Sequence, residues 1–354
     1  DYSWYTGSVV YTTVQGGKDT TPTNDYLQKK KRYTDYNSIN LYGTYDFSLG
    51  NHQFKIMAGF NQESSYQETM EALSYGQAVI EVPSLGSGTS TLKATDKYNE
   101  FSVRGGFFRV NYNYQDKYLL EVNGRYDGSS VLADGHKWSF FPSAALGWRI
   151  DQEDFMKDIS WINQLKLRFG LGTTGNSAVS AYSTLGNIQS FYVPFGSTLT
   201  PAYATNEPYY TSSQVKMANK DLGWEKTTQY NYGVDFSFLN GRISGSMDIY
   251  HSNTNDLLLS MTIPTLTGFN STYANVGKTK NFGVDLSLNL VPIQTKDFEW
   301  SSTINAAYQK DEIVELANGK QDDISNAKCR AVAMIMYMST ALRKSFHRRR
   351  SLRS

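Results

Sequence analysis

The sequence predicts an all-β fold of antiparallel strands, arranged as part of a transmembrane β-barrel. Apolar and polar residues alternate along many segments of about ten residues, as expected for strands with one apolar face. Along the chain, very short turns alternate with long polar connections between these segments. No run of residues approaches the roughly 18 apolar positions that a transmembrane helix needs. Barrel strands show one face to lipid and the other to the lumen, so alternation replaces a continuous apolar run.

The clearest alternation lies between Lys137 and Ile150. Successive side chains of a strand point to opposite faces of the sheet, so apolar residues at every second position form one apolar face. The residues between them are mostly polar or small. The apolar positions are Trp138, Phe140, Pro142, Ala144, Leu146, Trp148 and Ile150.

The same period of two recurs along the chain and predicts ten or eleven strands. Most of these segments reach the length of about 9–11 residues with which a tilted strand crosses a bilayer. Aromatic residues lie near several strand ends, which is typical of the girdles at a membrane interface. The ten clearest ranges are 39–49, 53–61, 107–114, 118–127, 137–150, 165–172, 229–239, 243–250, 282–293 and 298–309.

The connections differ in length between the two ends of the strands. Four hairpins close with the short turns SLGNH, QDKY, NGR and TKD, and the Gly and Asn residues of SLGNH and NGR supply the positive φ of tight turns. At the other end the connections are long, over 62–96, 128–136, 173–226 and 254–273. Loops of this length are uncommon in compact soluble domains. A barrel with short periplasmic turns and long extracellular loops accommodates them.

The stretch LKLRFGLGTTGN, residues 165–176, contains the Gly170-x-Gly172-x-x-Gly175 spacing of a dinucleotide-binding loop. That loop needs a helix directly after it and an acidic residue about 20 positions later. Neither feature follows here, and Lys166 and Arg168 charge the preceding strand. Gly170 and Gly172 are therefore predicted to be small residues on the lumen side of a barrel strand.

Other signs of enzyme chemistry are weak, so the sequence predicts no enzyme. The four histidines, His52, His136, His251 and His347, lie far apart without the paired spacing of a zinc site. The carboxylates of 151–154 follow a strand end, where solvated turn charges are common. We therefore assign no catalytic, metal or cofactor residues and leave the ligand-contacting residues open. The tyrosine-rich long loops suit either sugar stacking or a protein partner.

The two ends of the chain differ from its body. The first residues, DYSWYTGSVVYTT, contain no signal peptide, which predicts a cytosolic protein or a chain that starts inside a longer one. The single cysteine, Cys329, excludes an internal disulfide framework. Residues 328–354 carry eight Lys and Arg and no acidic residue, which leaves 26 basic against 33 acidic residues in the rest.

Several phrases resemble the SusC/RagA family of TonB-dependent outer-membrane transporters of Bacteroidetes-type bacteria. The resemblance covers about residues 36–326. The phrases that carry it are YLLEVNGRYDGSS, FPSAALGWRI, LKLRFGLGTTGN, LGWEKTTQYNYGVDFSFLNGRISGSMDIYHSNTNDLL and NVGKTKNFGVDLSL.

The resemblance implies a 22-stranded barrel in the Gram-negative outer membrane, closed by a plug and capped by a SusD-like surface lipoprotein. It implies import of an oligosaccharide or a peptide with energy from TonB, whose contact segment and the plug would precede Asp1. Residues 1–327 are then part of the barrel domain. The partners implied are the lipoprotein, TonB, membrane lipid and the nutrient, with no nucleic acid. The alternative is a soluble β-rich carbohydrate-binding or adhesive module, whose apolar faces would meet in a two-sheet core.

Residues 328–354 depart from this family pattern, and we predict that a shifted reading frame encodes them. Read from the third base of each codon, Met334 and Ile335 give Asp, and the next codons permit Tyr, Val and Tyr. This product resembles a segment of the family, whereas the other shifted frame stops at the same place. A shifted segment is expected to stay out of the sheet. The alternative is a genuine basic tail that binds lipid or nucleic acid.

Overall fold

The alternating segments form long β-strands in the computed structural model, which describes residues 2–15, 26–76, 84–89, 92–185, 189–195, 198–204, 216–267, 269, 271–295, 297–316 and 331–344. Four single-turn 3-10 helices lie in connections, at Leu85–Ser87, Ile150–Gln152, Asp154–Met156 and Thr265–Thr267. Within these described ranges, no helix has the length and apolar character needed to cross a membrane. The strands are β1 Tyr2–Gln15, β2 Tyr26–Leu49, β3 His52–Tyr75, β4 Lys93–Tyr114, β5 Tyr118–Ser129, β6 Trp138–Arg149, β7 Ile162–Asn176, β8 Gln189–Phe195, β9 Thr198–Ala204, β10 Lys216–Met217, β11 Glu225–Phe238, β12 Ile243–Thr262, β13 Ser271–Gln294, β14 Phe298–Glu315 and β15 Ala331–Lys344.

Thirteen strands form one sheet, in the order β1-β2-β3-β4-β5-β6-β7-β11-β12-β13-β14-β15, with β10 parallel to β13. Neighbours along this path are antiparallel and follow one another in the chain, apart from the step from β7 to β11. The strands β8 and β9 form a separate hairpin. Among the described residues no pairing joins β1 to β15, so the sheet has two open edges.

Short turns join the strands at one end of the sheet, which we call the turn side; the opposite end is the loop side. The turns adopt the predicted left-handed conformations, with positive φ at Gly50, Gln115, Asp116, Asn240 and Gly241. These conformations match the right-handed twist of the flanking strands and hold each hairpin in register. The predicted turns SLGNH, QDKY and NGR are confirmed, whereas TKD includes Lys296, which lies outside the described residues.

The ten predicted strand ranges are all confirmed, but several strands continue well beyond them on the loop side. The predicted connection 62–96 is wrong because β3 runs on to Tyr75 and β4 begins at Lys93. The predicted loop 173–226 also contains β8, β9 and β10. Alternation detects a strand only where one face is apolar. The added parts carry polar residues on both faces and therefore lack this signal.

Register places the alternating side chains on two faces of the sheet. Leu120 of β5 lies opposite Leu146 of β6 and Tyr112 of β4, and Phe169 of β7 lies opposite Leu146 and Tyr232. We call the face that contains these residues the apolar face. The opposite face, which carries Arg168 and Glu121, is the polar face. Because directly paired residues share a face, one apolar surface runs across the sheet.

A small core lies on the loop side, where connections pack together. Val131, Leu132 and Ala133 after β5 are buried together with Leu222 before β11. The Ala133 amide donates to the Leu222 carbonyl oxygen at 3.0 Å. This contact anchors the segment that follows β10 against the β5–β6 connection.

The expectation that residues 328–354 stay out of the sheet is wrong for Ala331–Lys344. This segment forms β15 and pairs with β14 in an unbroken antiparallel register. Backbone pairing needs an extended chain rather than particular side chains, and the edge of β14 offers its backbone groups. Pairing is therefore compatible with either reading frame, and the frame shift stays a prediction.

Candidate functional site: the polar face

The polar face encloses a groove of about 930 Å³ that extends from β2 to β11. Most of its side chains belong to the polar face, so this is the concave side of the sheet. The groove mixes charged, amide and small residues, which suits contact with water or a polar ligand. Its polar-face residues are Asp46, Ser48, Gln53, Lys55, Asn111, Asn113, Leu119, Glu121, Ala145, Gly147, Lys166, Arg168, Gly170 and Asn231.

Arg168 of β7 bridges the two following strands on this face. Its guanidinium donates to both carboxylate oxygens of Asp235 on β11, at 2.9 Å each. It also donates to Asp248 of β12 at 2.9 Å. All three side chains are partly buried, and charge-assisted bonds of this kind are stronger than neutral ones. Gly233 leaves room for the bridge, because a Cβ there would lie 2.7 Å from the Arg168 guanidinium carbon.

A second charged network occupies the polar face of β4 and β5. Arg109 donates to Asn123 at 2.7 Å, and Asn123 in turn donates to Glu121 at 2.7 Å. Arg125 forms two bonds of 3.0 Å to the carboxylate of Asp127. The polar face therefore carries both signs of charge in ordered pairs along the sheet.

The glycine motif of β7 lies within this face and forms no nucleotide loop. Gly170 pairs with Asn231 and Ala145, and Gly172 pairs with Gln229. No helix follows Gly175 in the described residues up to 185. Both observations agree with small residues on the concave side of a strand.

The apolar face is uncovered over the described part of the sheet. Leu146 is 52% exposed, Phe140 50% and Tyr45 68%, although each is a large apolar or aromatic side chain. Exposed apolar patches of this extent mark contact with a membrane or a partner. The two-sheet core of a soluble module would bury these residues, and no second layer does so here.

Aromatic residues border the apolar face at both ends. On the loop side the rings of Tyr126 and Trp138 stack with centroids 5.2 Å apart, and the Arg104 guanidinium lies 5.6 Å from the Trp138 ring. On the turn side the girdle residues are Tyr118 and Trp148. Amphipathic rings at both edges fit the two interfaces of a bilayer.

The turn-side aromatics are held by one carboxylate, Glu153. It accepts hydrogen bonds from the Tyr118 hydroxyl at 2.7 Å, the Trp148 indole at 3.0 Å and the Lys117 ammonium at 3.2 Å. The bonds from Tyr118, and then those from Trp148 and Lys117, lower the pKa of the Glu153 carboxyl below its ordinary value. The sequence interpretation of 151–154 as a solvated turn missed this role, because Tyr118 lies 35 residues away.

The described residues contain no group of three or more potential metal ligands. His52 contacts Tyr112 at 2.8 Å on the turn side, and His136 lies 4.0 Å from Asp221 on the loop side. His251 lies on the apolar face of β12, opposite Tyr230. The fourth histidine, His347, falls outside the described residues.

Comparison with known proteins identifies the family of this two-faced sheet. A family model described as "TonB dependent receptor-like, beta-barrel" matches residues 1–336. The match therefore extends into the 328–354 segment. The chain belongs to the TonB-dependent receptor β-barrel family. The exposed apolar face is accordingly the lipid-facing face of part of a barrel, and the polar face lines its lumen.

Two curated relatives and one solved structure place the chain among SusC- and RagA-like TonB-dependent receptors. It is 37% identical to TonB-dependent receptor SusC of Bacteroides thetaiotaomicron, over 85% of this chain and 30% of that protein. It is 34% identical to TonB-dependent receptor P26 of Formosa agariphila, over 77% of this chain and 27% of that protein. The RagAB peptide transporter matches with a TM-score of 0.75 and 25% identity, over 90% of this chain and 35% of that chain.

The chain spans about a third of the length of these TonB-dependent receptors, with 30% of SusC and 35% of the RagAB chain covered. The resemblance of the YLLEVNGRYDGSS and NVGKTKNFGVDLSL phrases to the SusC/RagA family is confirmed. The sequence showed Lys166 and Arg168 as two charges on one strand, but it did not predict the bridge from Arg168. Only strand register brings Asp235 and Asp248 next to Arg168.

Proposed function

We propose that this protein imports a nutrient across the outer membrane as part of the barrel of a TonB-dependent transporter. The observation that carries the proposal is the division of one sheet into an uncovered apolar face and a charged, concave polar face. Lipid tolerates spanning strands only when their backbone groups are paired within a barrel. The polar face would then line the path of a polar solute.

The nutrient class that we propose is an oligosaccharide or a peptide. The polar groove, with its amide and charged side chains, offers hydrogen-bond partners suited to either class. The similar RagAB structure is that of a peptide transporter, which supports the peptide class for this chain. We further propose a SusD-like lipoprotein at the loop side and TonB as the energy source, as in SusC-like systems.

The uptake experiment compares the native host with a strain that lacks the gene. We expect loss of growth on one oligosaccharide or peptide source, restored by the intact gene, and unchanged growth on monosaccharides. Uptake of the same nutrient should stop when the proton-motive force is dissipated. Unchanged uptake of every nutrient in the deletion strain would contradict the proposal. Co-purification of a surface lipoprotein from detergent-solubilised membranes tests the partner.

The membrane orientation has its own test with single cysteines in a Cys329→Ser background. Leu266 is 98% exposed in the β12–β13 connection, so Leu266→Cys should react with a membrane-impermeant maleimide in intact cells. Asn240→Cys in a turn should react only after the outer membrane is permeabilised. Leu146→Cys on the apolar face should resist the impermeant reagent in both cases. Labelling of Asn240→Cys in intact cells would reverse the assigned orientation.

The soluble binding or adhesive module has no supporting observation in the described residues. It requires the apolar residues of neighbouring strands to be sealed by a second layer. Leu146 and Phe140 are instead half exposed.

A further inference from the structure

Three neighbouring strands, β2, β3 and β4, extend far beyond the length needed to cross a bilayer, as β12 and β13 also do. β2 and β3 have 24 residues each and β4 has 22, whereas a tilted spanning strand takes about 9–11 residues. Their loop-side halves, 26–38, 63–75 and 93–102, pair with one another. We call this three-stranded region the projecting sheet. The projecting sheet lies on the loop side, beyond the strand segments that form the apolar face. The proposed function places this side at the cell exterior.

The outer edge of the projecting sheet is the loop-side half of β4. The strand β5 pairs with β4 only from Val103 onward, and the bond from the Ser130 amide to the Ser102 carbonyl oxygen ends that ladder. Every residue of 93–100 is exposed. Within the described ranges, no strand pairs with this edge. Such an edge presents free backbone donors and acceptors to an extended peptide.

One face of the projecting sheet carries tyrosines and, on β3 and β4, carboxylates, while β2 adds Lys29 and Lys31 at the far side of the same face. Strand register puts Tyr33, Glu68 and Tyr98 in one row across the sheet, and the next row holds Tyr66 beside Glu100. The Tyr66 ring centroid lies 6.4 Å from both Tyr33 and Tyr98. The rings and carboxylates therefore alternate across three strands, and we call this surface the acidic tyrosine face.

The carboxylates of this face keep their charge available. In the described part of the chain, Glu68 and Glu100 take part in no hydrogen bond or ion pair. Burial, followed by the charges of Glu68 and Glu100, raises the pKa of the Tyr66 hydroxyl. A negative surface between tyrosine rings attracts Lys and Arg side chains by charge and by cation–π contact.

The other face of β4 has the opposite charge. Lys93 and Lys97 alternate along the strand with Asp96 and Glu100, so each face of the edge has one sign of charge. A strand added to this edge would present its own alternate residues to the two faces. Charge complementarity therefore selects basic residues at every second position, with acidic or neutral polar residues between them.

We propose that the edge of β4 from Lys93 to Phe101 binds an extended cationic peptide by strand addition, with its basic side chains on the acidic tyrosine face. The peptide is the class of substrate captured at the cell surface, which rests on the proposed import function. Backbone pairing supplies affinity that is independent of side chains. The alternating charges of β4 supply orientation and selectivity.

The test uses the full-length transporter in detergent and a fluorescent nonapeptide with Lys at every second position and Thr between. We expect saturable binding by fluorescence anisotropy. The double variant Asp96→Lys/Glu100→Lys should weaken it about tenfold, since each cross-strand charge pair contributes a modest share of the affinity. Lys97→Glu, on the opposite face of the same strand, is the matched control and should leave binding unchanged. Heat-modified migration on gels verifies that each variant is assembled.

Two further probes separate strand addition from simple charge attraction. The same peptide with alternate amides N-methylated keeps its charge and should lose binding at least tenfold, because it lacks the backbone donors. A peptide with its lysines grouped together should also bind more weakly. Equal binding of these peptides, insensitivity to Asp96→Lys/Glu100→Lys, or competition by a neutral oligosaccharide would overturn the proposal.

The outcome is separable from that of the proposed function. A transporter that still imports its nutrient but fails to bind the alternating peptide refutes only the β4 site. Unchanged uptake in the gene-deletion strain refutes the proposed function and leaves the result of the peptide-binding assay unaffected.

Discussion

Glu153 shows how a single turn residue positions the aromatic border of the lipid-facing surface. Its carboxylate accepts bonds from Tyr118, Trp148 and Lys117, all from strand ends or turns on the turn side. The polar ends of Tyr118 and Trp148 thereby have a fixed acceptor while their rings border the apolar face. The cluster joins the β4–β5 turn to the β6–β7 connection.

We expect Glu153→Ala to lower the urea concentration at which the full-length barrel unfolds, because three donors lose their acceptor. Glu153→Gln retains an acceptor oxygen but loses the charge beside Lys117, so it should have the smaller effect. Intrinsic tryptophan emission, to which Trp148 contributes, follows the unfolding. Equal unfolding midpoints for Glu153→Ala and the unchanged protein would show that the cluster adds no stability.

The same carboxyl predicts a pH dependence. Its folded pKa is lowered from 4.5, so its contribution to stability is present above that value. The contribution is lost as the pH falls through the folded pKa, when the carboxyl gains a proton. On lowering the pH from about 5 to about 3, the unchanged protein should therefore lose more stability than Glu153→Gln does. Parallel pH profiles for the two proteins would contradict this.

Arg168 is the central cation of the polar face between β7 and β12. Arg168→Ala leaves Asp235 and Asp248 facing each other without a shared partner, which should destabilise the barrel by about 1–3 kcal/mol. Arg168→Lys should recover part of this, because a lysine cannot make the two parallel bonds to Asp235. Urea unfolding of the three proteins in detergent checks the order. A Lys variant as unstable as the Ala variant would indicate that bond geometry matters more than charge.

At the scale of elements, the loop side contains an ordered connection, residues 218–224, to which Asn275 of β13 contributes several hydrogen bonds. Its amide donates to the Gly223 carbonyl oxygen at 3.0 Å and to that of Asp256 at 2.9 Å. Its oxygen accepts from the Gly223 amide at 2.9 Å. One asparagine thus satisfies three backbone groups and fixes the segment before β11.

Asn275→Ala should free this segment and expose it to proteases added to intact cells. We expect cleavage between residues 216 and 224 to become at least several-fold faster, since local opening controls cleavage there. Asn163→Ala on the turn side is the control, because its bond to Asn240 is long and exposed. Proteases should cleave this variant between residues 216 and 224 at the same rate as the unchanged protein. Unchanged cleavage in Asn275→Ala would show that other contacts hold the segment.

The strand elements were predictable where lipid imposes one apolar face. The segment 137–150 and its neighbours follow that rule, and their turns follow from the Gly and Asn residues that allow positive φ. The loop-side continuations of β3 and β4 were not predictable, because water on both sides removes the alternation. Backbone pairing with a neighbour, rather than side-chain pattern, decides how far those strands run.

At the scale of the whole molecule, an open sheet with an exposed apolar face should not be stable in water by itself. Residues 1–354 expressed alone should form insoluble aggregates, because the edges of β1 and β15 and the apolar face invite association. Solubility after centrifugation and size-exclusion chromatography test this. A soluble monomer of the isolated chain would contradict the lipid-facing assignment of Leu146 and Phe140.

The origin of residues 328–354 is decided by the coding DNA. We predict that resequencing finds a shifted frame near codon 328, with the barrel sequence continuing in the corrected frame. The mass of the native protein, isolated from outer membranes, provides an independent check. A native protein that contains the sequence around Met334–Met338 would establish that β15 is genuine.

The sequence by itself determined the strand-and-turn plan, the apolar and polar faces and the resemblance to SusC/RagA transporters. It did so because the bilayer and the tight turns act on neighbouring residues, with a period that a single strand reveals. The tertiary structure decided which charges meet, as in the bridge from Arg168 to Asp235 and Asp248, and which edge stays open. Those features depend on register between strands far apart in the chain, and register is fixed only when the backbones pair.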